Sequence, residues 1–320
     1  MNQNIIEYAR ELSIKKLFET NGFSTVWPTW KNKIQTDIFN SAPPTEHLIY
    51  SIGDNLRDIF RTTGQAGRSQ SEVSGGGANW EALVCWYLNI CLIDRRTFVL
   101  KHNKDLIPSP IKDAITVNYG NFRSNTESDL IAITFPDKAE YTIDKEQILI
   151  KDIHGNSVDI SKGKNYNFLP ILDALVARDF DDIEIHIIQC KTNWNDNAQI
   201  PMLWDAVYSA NTFRNGISVG TNGYSIHDAK RFTYSFVTVP SNQIKKNGRL
   251  TYKNTSTAVL RVLNLSGGNY WGLPSETGVA SSIKELLERN LKSGHSNGII
   301  STIRTSMSYL NSTYSYFDII

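Results

Sequence analysis

Residues 181–205 read DDIEIHIIQCKTNWNDNAQIPMLWD. Ile183, Ile185, Ile187 and Ile188 are β-branched and lie between an acidic turn and a polar loop, which predicts a strand. The strand ends on Gln189, Cys190 and Lys191, and Asn193, Asn195 and Asn197 follow. Side chains alternate along a strand, so Ile187, Gln189 and Lys191 share one face. An amide and an ammonium at the tip of an apolar strand are costly if buried without partners. That face therefore calls for water or a ligand. Residues 200–213 then read as an amphipathic helix opened by Pro201, and residues 232–240 as the next strand. Strand, helix and strand in that order form the crossover of a mostly parallel sheet.

Working outward, Ser128-Asp129-Leu130-Ile131-Ala132-Ile133-Thr134 reads as a second strand with a carboxylate at its start. An acid opening one strand and Gln-x-Lys closing a later one suggest a divalent-metal site. Asp129 supplies a hard oxygen ligand, and the oxygen of Gln189 and the backbone carbonyl of Cys190 supply weaker ones. Lys191 stands beside the metal as a cation for an oxyanion or a helper for attacking water. This pattern resembles the PD-(D/E)xK nuclease site, with Ser128-Asp129 for the first half-motif and Gln189-Cys190-Lys191 for the second. Two departures are visible. Glutamine replaces the second acid, and 60 residues separate the half-motifs.

The resemblance implies an α/β (α+β) fold with a restriction-endonuclease-like central mixed sheet flanked by helices. It also implies Mg²⁺ as cofactor and the chemistry of a type II restriction endonuclease. Such nucleases often carry a Glu on the helix before the first catalytic strand. Glu81 fits that position, in an apolar helical run over residues 79–93; an acid answering the helix dipole is the other reading. The catalytic set is thus Asp129, Gln189, Lys191 and Glu81, and the metal set Asp129, Gln189, Cys190 and Glu81. Glu127 is a further candidate ligand. The implied partners are double-stranded DNA, a second copy of the chain on a palindromic site, and a cognate DNA methyltransferase in the same system. A repair or recombination nuclease, a non-catalytic DNA-binding module with a nuclease-like fold, and an α/β protein with incidental polar strand ends are the alternatives.

The remaining chain reads as an N-terminal helical region with a DNA-facing loop (1–74), a nuclease core (75–265) with an insertion between the half-motifs (137–180), and a C-terminal helical region (266–320), in one compact unit. Residues 61–79 contain two arginines and five glycines and read as a polar loop without a Walker pattern. Trp27-Pro28-Thr29-Trp30-Lys31 reads either as a nucleic-acid contact or as an aromatic anchor. Strands are expected at 141–143, 147–152 and 257–265, and helices at 3–20, 46–60, 168–180 and 281–291. Candidate base or phosphate contacts are Arg61, Arg68, Asn193, Asn195, Asn197, Lys245 and Lys246.

Composition narrows the classes. A net charge of +1 confines any DNA contact to a local patch. Three cysteines without metal-ligand spacing point to buried thiols in a reducing cytoplasm. No run approaches the length that crosses a membrane, and the first residues lack the apolar core of a signal peptide.

Overall fold

The computed structural model describes residues 3–63, 70–101, 105–124, 128–192, 194, 198–210, 216–240 and 252–320, the side chains of 70–75 aside. Its centre is a mixed six-stranded sheet in the order β1-β4-β7-β9-β10-β11. β1 is Thr97–Lys101, β4 Leu130–Thr134, β7 Glu184–Lys191, β9 Arg231–Thr238, β10 Asn269–Trp271 and β11 Ser281–Ser282. β1 pairs antiparallel with β4, and β4 with β7; β7, β9, β10 and β11 are mutually parallel. Strand alternation divides the apolar residues into two cores. Val99, Leu130, Ala132, Ile188 and Cys190 pack on one face, while Phe98, Leu100, Ile131, Ile133, Ile185 and Ile187 pack on the other. Both faces are covered, so these strands read as nearly continuous apolar runs.

The first face is covered by α5 (Gln70–Cys91), whose Leu83, Val84 and Leu88 are fully buried, together with α2 (Asn21–Lys33). Trp27 and Trp30 of α2 belong to this core, so the aromatic segment is an anchor. Gly272, just past β10, lies where a Cβ would come within 2.8 Å of the Trp80 ring and 2.9 Å of the Arg57 amide nitrogen. Only a glycine lets the sheet approach α5 this closely. The second face is covered by α6 (Ser109–Ala114), α7 (Phe168–Arg178) and part of α1 (Ile5–Phe18). The crossover helix α8 (Gln199–Ser209) links β7 to β9 as expected and sends Tyr208 into the same core. A small antiparallel sheet, β2 (Val117–Tyr119), β3 (Phe122–Ser124) and β8 (Ile217–Val219), stands apart in the order β3-β2-β8.

Several expectations are corrected. Residues 70–79 belong to α5 rather than to a loop. Three successive glycines cost helix roughly 1 kcal/mol each, but α5 continues without interruption into the buried run from Trp80 to Cys91. Residues 257–262 form helix α9 (Thr257–Val262) rather than a strand. Ala258, Val259 and Val262 are buried while Leu260 and Leu263 are exposed, which is helical spacing. The strands expected at 141–143 and 147–152 are single 3-10 turns and one bridge from Lys151 to Ser157. The region after 266 is not helical alone, because β10 and β11 extend the central sheet. Helix α10 (Ile283–Arg289) carries the expected capping box, with Ser282 and Glu285 reciprocally bonded. Among the described residues, no helix is long and apolar enough to cross a membrane.

Candidate active site

Antiparallel pairing sets Leu130 opposite Ile188, so the start of β4 lies beside the end of β7. Asp129, one residue before β4, bridges the two. Its Oδ2 accepts a 2.7 Å hydrogen bond from the Cys190 backbone N–H and lies 3.5 Å from Lys191 Nζ. On the other side β1 ends at Lys101, which pairs with Leu130. Lys101 Nζ lies 3.0 Å from Glu81 Oε2 and donates to the Ala78 carbonyl at 3.1 Å. Glu81 comes from the middle of α5. Two carboxylates and two ammonium groups therefore collect where β1, β4, β7 and α5 meet.

The four side chains are partly sheltered, at 17% exposed for Asp129, 19% for Glu81, 21% for Lys191 and 32% for Lys101. Burial pushes the Asp129 carboxyl up to about 6; the Lys191 charge opposes this and the Glu81 charge reinforces it. A carboxylate this poorly solvated, within the field of a second one, is a place where an added cation relieves charge. Among the described residues, no group of three or more His, Cys, Asp and Glu could hold a metal. Magnesium does not require one. It is commonly held by one or two carboxylates, with water and substrate phosphate completing the shell. Asp129 and Glu81, near enough for the charge of one to raise the other, are the two carboxylates of the site.

Gln189 and Cys190 are placed differently from the two acids. Gln189 is fully buried, and its Oε1 accepts from the Tyr234 hydroxyl at 2.9 Å. Its Nε2 has no partner. The oxygen anticipated at a metal is thus engaged in the second core. The Cys190 thiol points into the first core, and burial raises it well above the usual thiol range, so it is inert. The part of Cys190 that meets the site is its N–H. Arg61 is the exposed last residue of α4 (Leu56–Arg61). Glu127, Arg68, Asn193, Asn195, Asn197, Lys245 and Lys246 lie outside the described residues. Pro240, which precedes the segment holding those two lysines, accepts at its carbonyl from Arg57 Nε at 3.3 Å.

Sequence reasoning missed Lys101 and Tyr234. The signal for Lys101 was present, since TFVLK is an apolar strand ended by a lysine, as β7 is. Tyr234 carried no such signal. No family model matches the chain, and no curated protein matches it.

Proposed function

We propose that the chain is a Mg²⁺-dependent endonuclease of the PD-(D/E)xK kind, with a restriction-endonuclease-like core, that cuts double-stranded DNA at specific sites. The observation that carries this reading is the meeting of Asp129 with Lys191 at adjacent strand ends, within the field of Glu81 from the preceding helix. Asp129 and Glu81 would hold the metal. Once bound, the metal supplies Lewis acidity toward the phosphodiester and lowers the pKa of a bound water. The Cys190 N–H fixes one oxygen of Asp129 and so orients the carboxylate. Lys191 places a positive charge where charge develops on the phosphate. A cytoplasmic homodimer, working on a palindromic site beside a cognate methyltransferase, completes the proposal.

The engaged oxygen of Gln189 favours a second reading, a nuclease-like module that binds DNA without cutting it. The test is cleavage of unmethylated phage DNA with Mg²⁺, run beside Asp129→Ala and Lys191→Ala. Discrete bands from the wild type that vanish in both variants support the site-specific nuclease. A smear lost in both moves the reading to a repair nuclease. DNA binding by folded protein without cleavage over several divalent metals leaves the binding module.

A further inference from the structure

Lys101 has no role in the reading above, yet it is the most exposed of the four charged groups. Its ammonium has three donors. Glu81 at 3.0 Å and the Ala78 carbonyl at 3.1 Å engage it. It also lines a cleft of ≈ 410 Å³ with Ser13, Lys16, Glu19 and Thr20, in which Lys16 is paired to Glu19 at 2.8 Å, so Lys101 is approachable from the surface. A metal on Glu81 would put a second cation on the carboxylate that Lys101 holds through Oε2, and repulsion between the two positive charges would weaken that ion pair. The pairing Asp129–Lys191 is built alike. Each carboxylate of the site is held by a lysine that ends a strand, and Lys101 pairs with Leu130, the residue after Asp129.

We propose that Lys101 is a phosphate-binding residue held in reserve by Glu81. The divalent cation takes Glu81, and Lys101 is released to a phosphate of the DNA backbone. This rests on the nuclease reading and deepens it, by making metal and phosphodiester backbone bind cooperatively. By linkage, whatever the metal does for the affinity of DNA, DNA does for the affinity of the metal. In the metal-free protein the lysine is neutralised and contributes little to holding a polyanion.

The test measures duplex DNA binding by the full chain over a range of salt, without divalent metal and with Ca²⁺, for the wild type, Lys101→Met, Lys101→Arg, Glu81→Gln and the double variant. One phosphate contact changes the slope of log affinity against log salt by about one. With Ca²⁺, Lys101→Met should lose about one from that slope and Lys101→Arg should keep it. Without metal, Lys101→Met should bind no more tightly than the wild type, and Glu81→Gln should bind several-fold more tightly. That gain should vanish in the double variant. An unchanged slope in Lys101→Met with Ca²⁺, or a gain that persists in the double variant, overturns the role of Lys101 even where the wild type cuts DNA. A wild type that neither binds nor cuts DNA overturns the nuclease reading itself, and this inference with it.

Discussion

The two ends of β7 carry similar chemistry and treat it in opposite ways. At the first end, Glu184 accepts from Ser293 Oγ at 2.8 Å and has Lys230 and Arg231 within 3.8 Å. Burial works to raise that carboxyl, but the close approach of His186, the Ser293 hydrogen bond and the nearby positive charges outweigh it and hold it below the ordinary range. At the far end, burial wins over Lys191 and pushes Asp129 up to about 6. One end of the strand thus has a carboxylate saturated with donors, and the other a carboxylate starved of water, for which the Cys190 N–H and Lys191 do not compensate. The saturated end is built for stability. The starved end is unfavourable in the absence of a cation, and such groups concentrate at functional sites.

That contrast can be broken by exchanging the consequences of mutation. Asp129→Ala should abolish cleavage by on the order of 10³-fold or more, the scale of losing a metal's charge stabilisation, without lowering the melting temperature. Glu184→Ala should do the reverse. It leaves Ser293 and His186 without their carboxylate, beside the half-exposed Lys230 and Arg231, which costs on the order of 2 kcal/mol; denaturant unfolding measures this, while cleavage by the folded fraction stays unchanged. A Glu184→Ala protein that is as stable as the wild type would remove the distinction between the two ends.

A subtler comparison uses pH. Asp129 has a folded pKa above its unfolded one, so the folded state binds the proton more tightly. Ionising it works against folding, and the penalty grows as pH rises from about 4 to its full value above about 6, on the order of 3 kcal/mol with Lys191's attraction already included. Asp129→Asn should therefore raise the melting temperature at pH 8 by a few degrees and leave it unchanged near pH 4. Equal effects at both pH values would show that the carboxyl is not strained.

The smallest effect belongs to His186 at the saturated end. Its Nδ1 shares a 2.7 Å hydrogen bond with Thr233 Oγ1, and its Nε2 lies 3.6 Å from Glu184, beyond hydrogen-bonding distance. Burial lowers its pKa against the pull of Glu184. The unfolded chain therefore takes up the proton more readily, and stability falls as pH drops through the unfolded value of about 6.5, by at most about 1.4 kcal/mol per pH unit. His186→Gln should flatten the stability profile between pH 7 and 5, read by denaturant midpoints.

Legibility followed the range of the interactions. The strands β4, β7 and β9 and the crossover helix were visible because long apolar runs with polar ends leave few alternatives. Asp129 and Lys191 stood out as charges at those ends. Lys101 obeys the same rule but ends a five-residue strand in a stretch broken by Pro108 and Pro110, where no strand was read. The glycines at 75–77 suggested a loop because local propensity was weighed without the packing of α5 further along. β10 and β11 are three and two residues long, and only their neighbours in the sheet define them. The engagement of Gln189 by Tyr234 joins residues 45 apart through a parallel register that no local pattern reports.

The hydrogen bond from Cys190 to Asp129 has a practical consequence. β4 stops pairing at Leu130, so at this point a side-chain oxygen stands in for the strand carbonyl that would otherwise take the Cys190 N–H. The backbone resonance of one residue therefore senses the state of the carboxylate directly. In an NMR spectrum the amide-proton shift of Cys190 becomes a spectroscopic gauge of the site. It reports protonation or cation occupancy at Asp129 in the resting protein, with no substrate added.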